Sequence, residues 1–220
     1  MAVCSICGSQ EFKEGYGGRL SPTGFKPTCV SCGSVERHRI IHSMYKALTP
    51  ITQKIKALQF APDITVSAAN FATLDGSTYN GPNSMDMMRT GLPDGSYDLI
   101  ISNHVLEHVS DDMKAIREMI RVVGPKGVVH ICVPSPAQNL RTRDWGFADP
   151  ARAYHFRWYG ADSGQFFAKA VQNLHVMAVV GRDPATDTYD MVFWLSMNNE
   201  TLDFYGRALL ASSFAVLLLS

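Results

Sequence analysis

The sequence predicts an α/β fold: a mainly parallel sheet with helices on both faces, an antiparallel edge strand, and an N-terminal Cys4 zinc ribbon. Three observations carry this. From residue 55 onward, short apolar runs alternate with stretches of helical period. One of these runs, Asp98-Leu99-Ile100-Ile101-Ser102-Asn103-His104-Val105-Leu106-Glu107-His108, starts at an acid and breaks into a polar loop with two histidines and a glutamate. In an open α/β sheet ligands bind just beyond the carboxyl ends of the strands, so chemistry is expected there. The third observation is a double Cys-x-x-Cys pattern at the front.

Length and composition set the frame. The 220 residues suit one α/β domain with a small appendage, and 46% hydrophobic against 18% charged residues is enough for a buried core. The expected division is residues 1–33 as the ribbon, 34–50 as a linking helix, 51–200 as the main domain and 201–220 as an apolar tail. No basic-then-apolar leader opens the sequence, which predicts a cytoplasmic location. Residues 208–219 are apolar but carry Ser212 and Ser213. They fall short of the ~18–20 residues that span a bilayer, so no transmembrane segment is expected. The tail is read as a packing helix or strand, with membrane or partner docking as the alternative. The net charge of zero argues against a nucleic-acid partner. Residues 1–56 nonetheless hold eight Lys/Arg against three acids, which suits either docking onto the more acidic remainder or an anionic partner.

Cys4-Ser5-Ile6-Cys7 and Cys29-Val30-Ser31-Cys32 are each followed by Gly-Ser. A small residue after each pair lets all four sulfurs face one ion. Four thiolates complete the tetrahedral shell of Zn²⁺ and leave no open position, so the expected metal role is structural. Disulfides or redox pairs are the alternative. The intervening Gly- and Pro-rich loop suits a ribbon with little core of its own. Ser34 is a plausible N-cap for a helix whose face is Ile40, Ile41, Met44, Tyr45 and Leu48, closed by Pro50. Arg37, His38 and Arg39 either grip an anion or form a solvated or docking face.

In the main domain the strands are expected at residues 55–60, 70–74, 97–102, 128–133, 174–180 and 191–197. Helices are expected at 111–122, started by Asp111-Asp112 and ended by Gly124-Pro125, and near 163–171. The last two strands have no helix between them and are expected to pair antiparallel at the sheet edge. Cys132 falls in an apolar run and reads as core.

This layout resembles the Rossmann-like class I S-adenosylmethionine-dependent methyltransferases, and more narrowly the methyltransferase type 11 group, in a branch with an N-terminal zinc ribbon. Three segments carry the resemblance: residues 92–109 around the strand and loop above, residues 117–127 (Arg-Glu-Met-Ile-Arg-Val-Val-Gly-Pro-Lys-Gly), and Cys29 through Arg39. The resemblance implies an enzyme with S-adenosylmethionine as cofactor. It places cofactor contacts at Phe60, Ala61 and Pro62, where the family's Gly-rich turn is replaced by Ala-Pro-Asp. Asp75, as the acid ending strand two, is expected to hold the ribose or else to cap the turn into Gly76. Asp86 and Met87, in a segment like the family's third strand, are expected to read adenine. Asn103 and His104 are expected to border the methionine part, with His104 alternatively a buried residue that fixes the loop.

Methyl transfer needs a positioned acceptor and, for a hydroxyl or amine, a proton acceptor. His108 is the candidate base. It stands four residues after His104, a spacing that also suits a metal pair, but the sequence shows no third ligand. The loop at 134–159 is expected to bind the acceptor through Arg141, His155, Arg157 and Tyr159; the alternative is a lid packed on its own aromatics. Arginines among aromatics point to a small-molecule or glycan-type acceptor. Two other functions fit the chain: a binding module that has lost the cofactor, suggested by the glycine-free turn, and an RNA methyltransferase that grips RNA with the ribbon.

Overall fold

The computed structural model describes residues 2–134 and 139–219. Residues 1 and 135–138, which fall in the predicted ribbon and acceptor loop, and residue 220 of the tail lie outside the described residues. At the front, β1 (Phe12–Lys13) and β2 (Thr28–Cys29) form a two-stranded antiparallel ribbon. Two matched knuckles flank it. In each, the glycine after the second cysteine donates to the first cysteine's carbonyl: Gly8 to Cys4 at 2.9 Å and Gly33 to Cys29 at 3.0 Å. Both glycines have positive φ, 76° and 71°, a conformation costly for any residue with a Cβ.

Helix α1 (Glu36–Thr52) follows. Its apolar face is the predicted one, with Ile40, Ile41, Met44, Tyr45 and Leu48 all buried. Two expectations are corrected. Ser34 does not cap it; its hydroxyl turns to the sulfurs of Cys4 and Cys32, at 3.3 and 3.2 Å, and the Val35 N–H bonds His38 Nδ1 instead. Nor does Pro50 close the helix, which runs on to Thr52. A proline in the last turn forgoes one backbone bond near a helix end that is already incompletely bonded, so it is tolerated there.

The main sheet has seven strands in the order β11-β9-β10-β6-β5-β3-β4. They are β3 (Lys56–Phe60), β4 (Thr73–Ser77), β5 (Leu99–Asn103), β6 (Val128–Cys132), β9 (His175–Asp183), β10 (Thr188–Ser196) and β11 (Ala215–Leu218). Strands β4, β3, β5 and β6 are parallel; β10 is antiparallel to both β6 and β9. The β9–β10 pair is therefore antiparallel as expected, but it is not the edge. The apolar tail supplies β11, which pairs with β9 and takes that place.

Alternation along the strands divides the core between the two faces. Leu58, Ile100, Val129, Ile131, Phe193 and Leu195 face one way. There they meet Ile116 and Met119 of α2 (Asp112–Val123) and Phe167 of α3 (Ser163–Phe167). Ala57, Leu99, Ile101, Val128, Val192 and Trp194 face the other way, toward α1 and Leu202, Tyr205 and Leu209 of α4 (Asn199–Leu210). Asp111 caps α2 by accepting from the Lys114 N–H at 2.9 Å, and Gly124 ends it at φ 69°. Between β3 and β4 the chain forms only a single 3-10 turn, Ala68–Asn70, and no full helix. Helix α1 covers that face, which explains how the chain does without it.

Arg39 joins ribbon to sheet. It is fully buried, as is Asp183 on β9. Its Nε and Nη2 donate to the Asp183 carboxylate at 2.9 and 2.7 Å, and its Nη1 to the carbonyls of Pro27 and Ser34 at 2.9 Å each. Arg19 pairs with Glu36 at 2.8 Å. The Arg39–Asp183 pair sets one charge of the basic segment against the main sheet, whereas Arg19 meets an acid of its own segment. Among the described residues, no helix is long and apolar enough to cross a membrane.

Candidate active site

A cavity of about 390 Å³ opens at the carboxyl ends of β3 and β4. Phe60 and Ser77, the last residues of those strands, form its floor with Ala61. The Ala61 turn takes the left-handed conformation, φ 47°, and its N–H donates to the Ser77 carbonyl at 2.8 Å. Pro62 then folds over β4. A Cβ on Gly76 would lie 2.7 Å from Pro62 Cγ, so the glycine that this turn requires sits on the neighbouring strand.

Met85, Met87 and Met88 supply an apolar wall around Asp86. This segment is not the strand its sequence resembles; it is a turn, with an Asp86–Arg89 bridge and Asp86 Oδ1 accepting the Met88 N–H at 2.8 Å. Asp86 is exposed, and its Oδ2 has no hydrogen-bond donor among the described residues. The opposite side of the cavity comes from Val105, His108, Val109 and Phe156. No lysine or arginine lines it.

Asp75 is placed elsewhere. β4 runs three residues later than the sequence suggested, so Asp75 lies mid-strand rather than at its end. Its carboxylate accepts from Tyr97 Oη at 2.8 Å and approaches Lys56 Nζ at 4.0 Å. Ser77 occupies the strand-end position beside the cavity, and its Oγ accepts the Met85 N–H at 3.0 Å.

The loop after β5 behaves differently from the rest of the core. Asn103 Nδ2 donates to Thr65 Oγ1 at 3.0 Å, and the Thr65 hydroxyl bonds Asp63, which also accepts from Gln59 Nε2. These bonds hold the turn after β3 against β5. His104 adopts φ 54°, with its N–H bonded to the Cys132 carbonyl at 2.8 Å. Several polar atoms here are buried with no hydrogen-bond partner: Ser102 Oγ, Asn103 Oδ1, His104 Nε2 and both carboxylate oxygens of Glu107. His104 Nδ1 comes within 3.5 Å of Glu107 Oε1, an approach too long for a good bond. Burial pushes the Glu107 carboxyl up to about 8 and the His104 imidazole well below its ordinary value. Burial also lowers His108 from its ordinary value. His108 is therefore a neutral imidazole at pH 7 with one lone pair uncommitted.

The predicted acceptor loop is largely ordered as a hairpin, β7 (Arg143–Asp149) and β8 (His155–Trp158). Two of its predicted residues are engaged within the protein. Arg157 is 2% exposed, bonded through Nε to Asp144 at 2.7 Å and through its other nitrogens to the carbonyls of Val109 and Ser110. Tyr159 is 1% exposed and donates to Asp112 at 2.8 Å. Both clamp the hairpin to the loop after β5. Arg141 is exposed, and its backbone packs where a side chain on Gly160 would stand. His155 comes to the site: its ring meets that of His108 edge-on at 4.6 Å. Of the predicted cofactor residues, Phe60, Ala61, Asp86 and Met87 line the cavity; Pro62, Asp75, Asn103 and His104 do not. Phe156 and Ser77 were not singled out by the sequence. Phe156 needed the hairpin to be foreseen, and Ser77 the true end of the strand.

The four cysteines form a second cluster. Cys4 and Cys32 sulfurs are 3.7 Å apart and those of Cys7 and Cys29 3.5 Å; all four lie within 4.8 Å of one another, and no disulfide joins them.

Residues 29–131 match the model of a methyltransferase domain family. Over 80 residues the chain is 31% identical to ajmaline N-methyltransferase of Rauvolfia serpentina, a match over 34% of this chain and 26% of that protein, so it spans about a quarter of that relative's length. Similar solved structures include a possible histamine N-methyltransferase from Thermotoga maritima (12% identity, 73% of this chain and 91% of that one, TM-score 0.46). Another is 1,6-didemethyltoxoflavin-N1-methyltransferase from Burkholderia thailandensis, bound to 1,6-didemethyltoxoflavin and S-adenosylhomocysteine (12% identity, 70% and 77%, TM-score 0.48). Residues 29–131 of this chain are therefore similar to a methyltransferase domain.

Proposed function

We propose that this protein transfers a methyl group from S-adenosylmethionine to a small-molecule acceptor, with the cofactor in the cavity beyond β3 and β4 and the ribbon built on a structural zinc ion. The observation that carries the reading is the cavity's chemistry. Its walls are apolar, its one acid is Asp86, and it contains no cationic side chain. That donor set fits an adenosyl sulfonium: the methionine side chains pack a purine, the Asp86 carboxylate accepts from an exocyclic amine, and no positive charge repels the sulfonium. Its volume is that of a small-ligand site.

When bound, S-adenosylmethionine supplies an electrophilic methyl group. The protein's own residues do the rest. Phe60, Ala61 and Met87 exclude water around the cofactor. Val105, Val109 and Phe156 shape the acceptor's side, and His108 presents an uncommitted lone pair there, able to accept the acceptor's proton. His155 stands behind His108. The uncharged acceptor side favours a small neutral molecule; the relative from Rauvolfia serpentina acts, by its name, on ajmaline. Zinc fits the cysteine cluster on geometry: bonds of roughly 2.3 Å in a tetrahedron place sulfurs about 3.8 Å apart, close to the 3.5 and 3.7 Å separations.

Calorimetric titration of the zinc-loaded full chain with S-adenosylmethionine tests the reading. Saturable one-to-one binding is expected. Asp86→Ala should weaken it roughly 10- to 100-fold, the effect of losing a charged hydrogen bond worth about 1.5–3 kcal/mol. Absence of binding by the folded wild-type chain overturns the cofactor assignment.

A further inference from the structure

Glu107, His108 and His155 bring one carboxylate oxygen and two imidazole nitrogens to within 4.8 Å of one another. They come from two separate elements, the turn after β5 and the start of β8, so their meeting is a product of the fold. The sequence showed His104 and His108 four residues apart with no third ligand; the hairpin delivers His155 instead. We propose that Glu107, His108 and His155 bind a divalent transition-metal cation, such as Zn²⁺, at the wall of the cavity.

Three features support the site. Glu107 is 1% exposed, and neither of its oxygens has a hydrogen-bond partner. A buried carboxylate in that state is costly unless a cation or a proton meets it. Nδ1 of His155 is likewise buried and without a partner. His108 stands on the cavity wall, with its ring 4.6 Å from that of His155. Two consecutive left-handed residues, Ala153 (φ 54°) and Tyr154 (φ 61°), immediately precede His155. Strained backbone of this kind persists where surrounding contacts enforce it. Here Trp145 Nε1 bonds the His155 carbonyl at 2.9 Å, and Arg157 ties the next turn of β8 to Val109 and Ser110.

Two imidazoles and one carboxylate suit zinc and other first-row ions and leave coordination positions open, unlike the closed Cys4 cluster. His108 lines the cavity, so the open positions face the acceptor's side. There the cation would hold an oxygen atom of the acceptor and lower its pKa, so that its proton passes to solvent before the oxygen takes the methyl group; with the cation bound, His108 would serve as ligand in place of its role as base. This second role rests on the methyl-transfer reading; the cation site does not.

Elemental analysis of the full chain, equilibrated with a slight excess of Zn²⁺ and desalted, is the test. Glu107→Gln and His155→Ala are measured beside the wild type, each checked by thermal melting and titrated with S-adenosylmethionine. The wild type should hold one more equivalent of zinc than either variant, all three retaining the ribbon's ion. Loading with Co²⁺ assigns the extra equivalent, because a site without sulfur adds ligand-field absorption but no thiolate-to-metal charge transfer. Equal zinc in all three proteins, or charge transfer from the second equivalent, overturns the site whether or not the cofactor binds. A zinc difference in proteins that fail to bind S-adenosylmethionine upholds the site and overturns the methyl-transfer reading alone.

Discussion

The junction between ribbon and sheet and the loop after β5 are both rich in buried polar groups, and they treat them in opposite ways. At the junction, every nitrogen of the Arg39 guanidinium has a protein partner. Asp183 accepts not only from Arg39 but from the Ala185 N–H and the Thr186 hydroxyl. In the loop, Ser102, Asn103, His104 and Glu107 all bury polar atoms that no protein group meets. A saturated network holds one arrangement and can bind nothing further. An unsaturated one keeps donors and acceptors that a further partner could still meet. The contrast sets a closed network against an open one.

The largest effect is expected where saturation is broken. Arg39→Met leaves the Asp183 carboxylate buried without its cation and strips Pro27 and Ser34 of their donor. A loss of about 3–5 kcal/mol is expected, seen as a lower midpoint in chemical denaturation. If the contrast is sound, the paired change Arg39→Met with Asp183→Leu recovers most of that loss, because it removes the stranded charge. A double variant as unstable as the single one would show that the junction depends on the bonds to Pro27 and Ser34, and not on a balanced ion pair.

His130 sharpens the comparison from a third place. It is fully buried on β6, bonded through Nδ1 to Tyr45 Oη at 2.9 Å and packed against the Trp194 ring, with Nε2 unpartnered. It lies in the core beneath α1, away from the cavity, so an unpartnered atom alone does not mark a site. Burial lowers its pKa to about 3. The unfolded chain takes up a proton near pH 6.5 while the folded chain refuses it. The stability that His130 contributes is therefore present above pH 6.5 and is lost as pH falls toward 3. That loss is up to ~4 kcal/mol over the window. In His130→Phe the slope of stability against pH between 6.5 and 3 should be visibly shallower, whatever the absolute stability. An unchanged slope would mean that His130 is protonated in the folded state.

How much of this was legible beforehand follows from the range of the interactions involved. Three of the parallel strands, the apolar face of α1, the bounds of α2 and the pairing of the four cysteines are written in local periodicity and spacing, and they stand close to where the sequence put them; β4 runs three residues later. The order of the sheet's far side is not local: β10 lies between β6 and β9, and the tail supplies β11, because of packing across the whole sheet. Asp75 was placed at a strand end from residue type alone, but Leu58 and Phe60 set the register, and they put Ser77 there. Arg157 and Tyr159 looked like acceptor contacts because sequence shows their chemistry and not their partners, Asp144 and Asp112. The meeting of His155 with His108 needed a hairpin that no periodic signal announced.

The smallest expected effect concerns the turn whose missing glycine made the cofactor reading least secure. Ala61 already adopts the left-handed conformation that a glycine would supply, and its N–H is fixed by Ser77. An alanine held there costs about 1–2 kcal/mol against a right-handed one. Ala61→Gly relieves that strain but frees the unfolded chain, which offsets it by about 0.4–1 kcal/mol. The net change should lie within about 1 kcal/mol, on the stabilising side, and S-adenosylmethionine affinity should stay within a few-fold of wild type, since the backbone path is the same. Ala61→Val should do the reverse, because a β-branched side chain is poorly accommodated at positive φ and would project into the cavity. Paired melting curves and titrations decide the matter. Should the glycine variant lose stability and the valine variant bind normally, the turn would not be left-handed in solution. If the expected pattern holds, the protein has met the backbone requirement of a glycine turn by another route, with Gly76 giving Pro62 its room and Ala61 bearing a small strain at the cavity floor.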